Sequence, residues 1–311
     1  MNGLDQAVDE YLSVRRAVGF KLAQAERLLH DFASFAETEG AARVTTDLAV
    51  RWATQPTQAS PGWWASRLCV VRCFARHLAA LDPATDVPPL DALPRVPGDA
   101  RRMTPYLYTP NDIAALMSAA SSTRFEFTAI MCRTLIGLLA VTGMRVGEAL
   151  RLDNQDVDWE HGVLIVRHSK FERSRQVPIH PSALDALRVY VTARDERRIA
   201  IRTPSLFISW TGDRLSYGGI RWHFERLARK AGLAPKSARC RPTLHSFRHS
   251  FACDTLEDWY RDDADVQARL PLLSTYLGHV DPISTYWYLS PKPGLLAAAA
   301  DRLEQHMDTE R

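Results

Sequence analysis

Apolar positions recur at helical spacing through the first part of the chain. Leu4, Val8, Tyr11 and Leu12 share one helical face, as do Leu28, Leu29, Phe32 and Phe35. Gly40 ends that pattern, residues 45–47 restart it ahead of Leu48, Val50 and Trp52, and a further helix is predicted over 67–81. From Asp82 to Tyr106 the periodicity fails and Pro83, Pro88, Pro89, Pro94, Pro97 and Pro105 crowd in. Proline lacks an N–H and fixes φ, so this stretch reads as an extended linker. Thr109-Pro110-Asn111-Asp112 then carries the marks of a helix start: a capping hydroxyl, a proline in the first turn and an acid near the positive end of the dipole. A long apolar helix is predicted over 125–141, interrupted at Thr142-Gly143, with a short helix over 145–150. The pattern then changes to β-branched runs over 157–159, 162–168 and 176–180, which predict a three-stranded antiparallel sheet. Beyond Pro181 it is helical again, apart from 206–209.

The expected fold class is therefore mainly α with a small antiparallel β-sheet (α+β). A helical domain is expected over 1–98, the end of the proline-rich linker over 99–108, and a second domain over 109–311 with a C-terminal tail helix. Composition adds little to this. Hydrophobic residues at 46% and charged residues at 24% are the balance of a globular chain, and the net charge is only +3. Residues 1–98 carry 10 Lys+Arg against 11 Asp+Glu, and the remainder 29 against 25, so any phosphate-binding surface must come from local clustering. Five cysteines, none in a close CxxC pair, suit reduced thiols. The N-terminus lacks the basic start and apolar run of a signal peptide, and the longest apolar region, around 135–141, is too short to span a membrane. A cytoplasmic protein without a membrane partner is expected. Cys69, Cys73 and His77 repeat at i,i+4 and could line up as metal ligands, but neighbouring Leu68, Val70 and Phe74 favour a buried helical face.

Four segments are chemically unusual for their surroundings. TGMRVGE (142–148) sets Arg145 just after a glycine break among apolar residues, where a guanidinium needs an anion or a carboxylate; Glu148 could serve as a structural partner. LHSFRH (244–249) puts His245 and Arg248 three residues apart on one helical face, so both can reach one phosphate. His245 and His249 also have zinc spacing, without a third ligand nearby. LGH (277–279) precedes Asp281-Pro282, another helix start. Tyr286 and Tyr288 follow, on a short helix where tyrosines usually pack.

In this order and at these distances, the four segments resemble the catalytic signature of the tyrosine recombinases, also called phage integrases. The resemblance covers roughly residues 104–288, and the preceding helical part is similar to that family's core-binding (DNA-binding) domain. It implies that Arg145 and Arg248 are the phosphate-clamping arginines, His245 the histidine between them, His279 the second histidine and Tyr288 the nucleophile. Residues two apart on a helix point to nearly opposite sides, so Tyr286 and Tyr288 cannot both face one phosphate, and the spacing from His279 favours Tyr288. The family's hairpin lysine matches Lys170, between two predicted strands. Ser169 and Phe171 stand where many relatives have glycine, which leaves Arg173 and Arg175 as alternatives. The segment 251–277 is longer than in relatives, and its DWYRDD stretch reads as a solvated insertion.

The implied chemistry needs no cofactor. Two guanidiniums and an imidazole can neutralise charge gathering on the nonbridging oxygens, each preorganised donor being worth ~10²–10³ in rate. His245 would accept the phenol's proton, His279 would hydrogen-bond the phosphate, and Lys170 would protonate the leaving 5′-oxygen. A 3′-phosphotyrosine bond conserves the energy for rejoining, and the sequence has no GxxxxGK[ST] loop for a nucleotide. Implied partners are double-stranded DNA, a homotetramer on two DNA sites, and accessory recombination proteins. A catalytically inactive DNA-binding relative and a type IB topoisomerase stand as alternatives. The target sequence, and the choice among phage integrase, transposon recombinase and resolvase, stay open.

Overall fold

The apolar stripes of the N-terminal part close around one core. In the computed structural model, which describes residues 3–94, 105–167, 174–197, 199–237, 240–262, 264–279 and 283–289, these stripes lie on α1 (Gly3–Ala17), α2 (Ala23–Thr38), α3 (Thr46–Thr54) and α4 (Pro61–Ala79). Phe32, Trp52, Leu68 and Phe74 fill the centre. Thr45 and Ser60 cap α3 and α4 by accepting from Leu48 and Trp63 N–H groups. Buried Arg67 lies 3.8 Å from the Trp52 ring centroid, donates to the Trp52 carbonyl at 3.0 Å and pairs with Asp31 at 3.3 Å.

The chain divides into two compact units, Met1–Met103 and Thr104–Arg311. As far as residue 93, the proline-rich stretch folds back on the first unit instead of extending. Arg72 donates to the Pro88 and Pro89 carbonyls at 2.7 and 2.8 Å, Asp86 N–H bonds the Val44 carbonyl, and Ala92 and Leu93 pack on the helical core. A segment poor in N–H donors still offers carbonyls, and one guanidinium takes two of them. Cys69 and Cys73 are exposed, contrary to a buried cysteine face; Leu68, Val71, Phe74 and Ala75 hold the inside of α4.

Residues 105–108 belong to the core of the second unit. Tyr108 stacks on Phe247 at 4.4 Å, and its N–H bonds Ser250 Oγ at 2.7 Å. A capping box of Thr109 and Asp112 opens α5 (Pro110–Ser121), as the sequence predicts. Then come α6 (Glu126–Thr142), α7 (Val146–Ala149) and the antiparallel sheet β1 (Val157–Asp158), β2 (Val163–Val166) and β3 (Arg175–Pro178), in that spatial order. Val166 pairs with Arg175, so residues 168–173, with Lys170 among them, join β2 to β3 and lie outside the described residues. Leu164 and Val166 of β2 face the core, and α8 (Pro181–Asp195) adds Leu187 and Tyr190 to it.

The helices α9 (Tyr217–Lys230), α10 (Ser246–Arg261), α11 (Val266–Leu277) and α12 (Ile283–Tyr286), with a 3₁₀ turn at Trp287–Leu289, complete the unit. The DWYR stretch is the last turn of α10: Asp258 and Arg261 are solvated, as expected, while the two rings between them are half-buried. Glu257 is buried and paired with Arg261, and Trp259 and Tyr260 pack on a cluster of Leu256, Leu273, Leu277 and Tyr288. Among the described residues, no helix is long and apolar enough to cross a membrane.

Candidate active site

Three guanidiniums converge on the C-terminal end of α11. The last carbonyls of a helix lack intrahelical partners and carry the negative end of its dipole, so they attract cations. Arg175 Nε donates to the Tyr276 carbonyl at 2.8 Å, Arg248 Nη2 to Leu277 at 2.7 Å and Arg145 Nη2 to Gly278 at 3.2 Å. Gly278 ends the helix in the left-handed region at φ 69°, and a Cβ there would stand 2.7 Å from Arg175 Nη1. Conformation and space both demand glycine.

Arg248 sits in the first turn of α10 and is only 2% exposed. Its Nη1 reaches the Gly143 carbonyl at 3.1 Å, so this side chain ties the C-terminal ends of α6 and α11 together. Burial, then the neighbouring charge of Arg145, lowers its pKa to about 10, with interactions with Tyr288 among the opposing influences; it remains a cation at neutral pH.

Arg145 follows the Gly143 break in extended conformation and precedes α7. Buried Glu148, one turn on, accepts from its backbone N–H at 3.0 Å and its Nη1 at 2.8 Å. The same carboxylate accepts Arg175 Nη1 and Nη2 at 3.2 and 2.7 Å. Burial alone would raise the pKa of Glu148, but the hydrogen bonds and charge of Arg175, followed by those of Arg145, outweigh it and hold it at about 2. The ion pair expected within TGMRVGE is therefore present and joined by a second arginine.

Thr285 Oγ1 fixes the His279 ring through Nδ1 at 2.7 Å. Burial, then Arg248, Arg145 and Arg175, lower the His279 pKa to about 4. His249, whose Nδ1 is buried without a partner among the described atoms, is also lowered to about 4, by burial, His245 and Arg248. Both rings are neutral at neutral pH. Among the described residues, Arg145 and Arg175 share the Glu148 carboxylate and Arg248 donates to carbonyls, so three guanidiniums against one carboxylate leave two positive charges in excess. His245 heads α10 with solvent access; the protein around it, then Arg248 and Arg145, lower its pKa too.

Tyr288 is 3% exposed and closes one side of this cluster. Its ring lies parallel to His279 at 5.8 Å, near His249 at 5.5 Å, and Cys253 Sγ contacts its carbonyl at 3.6 Å. Tyr286 is 54% exposed, and Tyr276 stacks on Phe251 with its hydroxyl toward the Pro178 carbonyl. The structure therefore brings together Arg145, His245, Arg248, His279 and Tyr288 and leaves the other two tyrosines apart. Arg175, an alternative to Lys170, is committed to Glu148 and the Tyr276 carbonyl; Arg173 lies outside the described residues. Sequence reasoning named Arg175 only as an alternative to Lys170 and missed its pairing with Glu148, and it missed His249 as a member of the cluster. Nothing local links Arg175 to Glu148 across 27 residues, whereas His249, one turn from His245, was visible and set down only as zinc spacing.

The sequence matches the phage integrase family over residues 107–293. It is 44% identical to "Putative integrase/recombinase y4rB" of Sinorhizobium fredii over 99% of both chains. It is 30% identical to the tyrosine recombinase XerC of Alcanivorax borkumensis over 71% of this chain and 66% of the other. Among solved structures, the Tn1549 transposon integrase in complex with transposon right end DNA aligns over 97% of this chain and 99% of the other, with a TM-score of 0.67 and 18% identity. A lambda integrase dimer bound to a core site aligns over 93% and 96%, with a TM-score of 0.61 and 19% identity. The chain belongs to the phage integrase family, the tyrosine recombinases.

Proposed function

We propose that this chain is a site-specific DNA recombinase that cleaves and rejoins double-stranded DNA through a 3′-phosphotyrosine bond at Tyr288. The observation that carries this reading is the buried Tyr288 beside Arg248, in a cluster with two positive charges in excess. A phosphodiester under attack becomes a dianion-like species, and that excess matches it without further charge.

In the proposed step the Tyr288 oxygen attacks phosphorus, the phenol proton passes to His245, and the bond to the 5′-oxygen breaks. Arg145 and Arg248 hold the nonbridging oxygens, and neutral His279, oriented by Thr285, donates a hydrogen bond to one of them. Lys170 protonates the departing 5′-oxygen. What supports Lys170 is the base of its hairpin, where Arg175 is bound to Glu148 and so lies beside Arg145. Rejoining runs the same transfers backwards, so no nucleotide is consumed. Four protomers on two DNA sites would exchange strands pairwise in the cytoplasm, with accessory recombination proteins setting direction. The helical part, 1–98, would serve as the core-binding domain and 109–311 as the catalytic one.

The test is a nicked suicide substrate run on a denaturing gel. Tyr288→Phe should give no covalent adduct while DNA binding, which rests on phosphate contacts, is nearly unchanged. Adduct retained in Tyr288→Phe and lost in Tyr286→Phe would overturn the assignment. Supercoil relaxation without strand exchange would move the reading to a type IB topoisomerase.

A further inference from the structure

Away from the arginine cluster, the second unit opens a cavity of about 1380 Å³ between the start of α6, the exposed side of α9 and the 209–216 loop. Small-molecule pockets hold roughly 300–1,000 Å³, so this space suits a chain segment better than a metabolite. Its floor is apolar, made by Phe127, Met131, Cys132 and Leu227. At the mouth, Phe125, Trp210 and Trp222 are 64%, 75% and 55% exposed, an arrangement that costs free energy in water unless something covers it.

The rim has one sign. Arg124, Arg197, Arg214, Arg226, Arg229 and Lys230 line the cavity and, among the described residues, no aspartate or glutamate does. Several of these guanidiniums lie over aromatic rings: Arg197 is 4.0 Å from the Phe127 centroid, Arg226 4.6 Å from Trp222 and Arg124 5.6 Å from Phe125. A stacked guanidinium keeps its N–H edge free for a carboxylate, in a planar fork that fits two oxygens. Arg197 Nη2 donates to the Trp210 carbonyl at 3.2 Å, while its buried Nη1 has no partner among the described atoms.

We infer that this cavity is a docking groove for an acidic, apolar-anchored peptide segment of a partner protein. Aliphatic or aromatic anchors would fill the floor and cover Trp210 and Trp222, while carboxylates would meet the exposed edges of the stacked arginines. Duplex DNA matches the charge of the rim but has no side chains for an apolar floor. Single-stranded bases would find the faces of Phe125, Phe127 and Trp222 already covered by guanidiniums, with Trp210 left to stack.

The test uses the full chain and three labelled probes followed by fluorescence anisotropy at one salt concentration. The first is a helical peptide of about 14 residues with leucine and tryptophan at i, i+4 and i+7 and glutamate elsewhere. The second replaces its glutamates with lysine, and the third is a single-stranded oligonucleotide. The acidic peptide should bind, and Trp222→Ala and Arg226→Glu, both at exposed positions, should each weaken it by ~10-fold or more. Absence of binding, equal binding of the lysine peptide, or an oligonucleotide that binds with the same sensitivity to both substitutions would overturn the proposal. Concentration-dependent self-association of the free protein, abolished by both variants, would also overturn it by naming a second copy as the occupant.

Discussion

Glu148 meets both Arg145 and Arg175 while almost fully excluded from water, so its loss strands two guanidiniums. Its pKa falls from 4.5 to about 2 on folding, which corresponds to about 3 kcal/mol of stabilisation. Because the folded value is the lower one, that stabilisation is present above pH 4.5 and fades as pH falls toward 2. Glu148→Gln should therefore be less stable than the native chain by about 3–5 kcal/mol in urea unfolding at neutral pH. The gap should shrink by about half near pH 3; a gap unchanged there would remove the ion pair as its cause. Lys170 is tested at the same scale. Lys170→Ala should slow cleavage by ~10²–10⁴ with little loss of binding. A substrate with sulfur in place of the bridging 5′-oxygen, whose leaving group needs no proton, should restore most of that rate. Arg145→Ala and Arg248→Ala should stay impaired on it. Absence of rescue, with weakened binding explaining the whole defect, would reduce Lys170 to a tether.

Helix ends, more than helix faces, build the site. Gly143 and Gly278 terminate α6 and α11 in left-handed geometry and expose the carbonyls that Arg248 and Arg145 take. Gly278→Ala carries two costs: the left-handed backbone, about 1–2 kcal/mol, and a methyl in the space of the Arg175 guanidinium. Gly232→Ala separates them, since Gly232 has φ 74° with nothing within 4 Å of an added Cβ. Thermal unfolding should show Gly278→Ala losing more than Gly232→Ala, at roughly 2–4 °C per kcal/mol, and cleavage should fall only in the former. Equal losses would mean that the Gly278–Arg175 contact contributes nothing.

For the whole molecule, the two compact units each own a hydrophobic core, around Trp52 in one and Leu139 and Phe247 in the other. A fragment starting at Thr104 should therefore fold. If both units grip one duplex, as proposed, the fragment should bind DNA at least ~10²-fold more weakly at the same salt concentration, because it loses contacts and effective concentration together. Equal affinity of fragment and full chain would contradict a two-unit grip. The tail 293–311, expected from its leucine and alanine pattern to aid assembly, lies outside the described residues.

Local chemistry by itself determined the capping box at Thr109, the break at Gly143, the three strands and the order of the arginine, histidine and tyrosine segments. Each depends on residues a few positions apart, where backbone preference and side-chain reach act directly. The Arg145–Glu148 pair was legible for the same reason. Tertiary structure alone decided what Arg175 does, because its partners Glu148 and Tyr276 lie on other elements. It also decided that the prolines after α4 fold back, since Arg72 reaches them only once the helices have packed. In DWYR, Asp258 and Arg261 are solvated as their polarity suggests, but so short a stretch carries no periodic signal for the cover its rings receive. Leu256, Glu257 and the rings of Trp259 and Tyr260 found cover only where α10 and α11 meet. Spacing pointed to Tyr288 over Tyr286, but burial against Arg248 and His279 is a property of the packed chain, set by where α11 ends and the last turn returns.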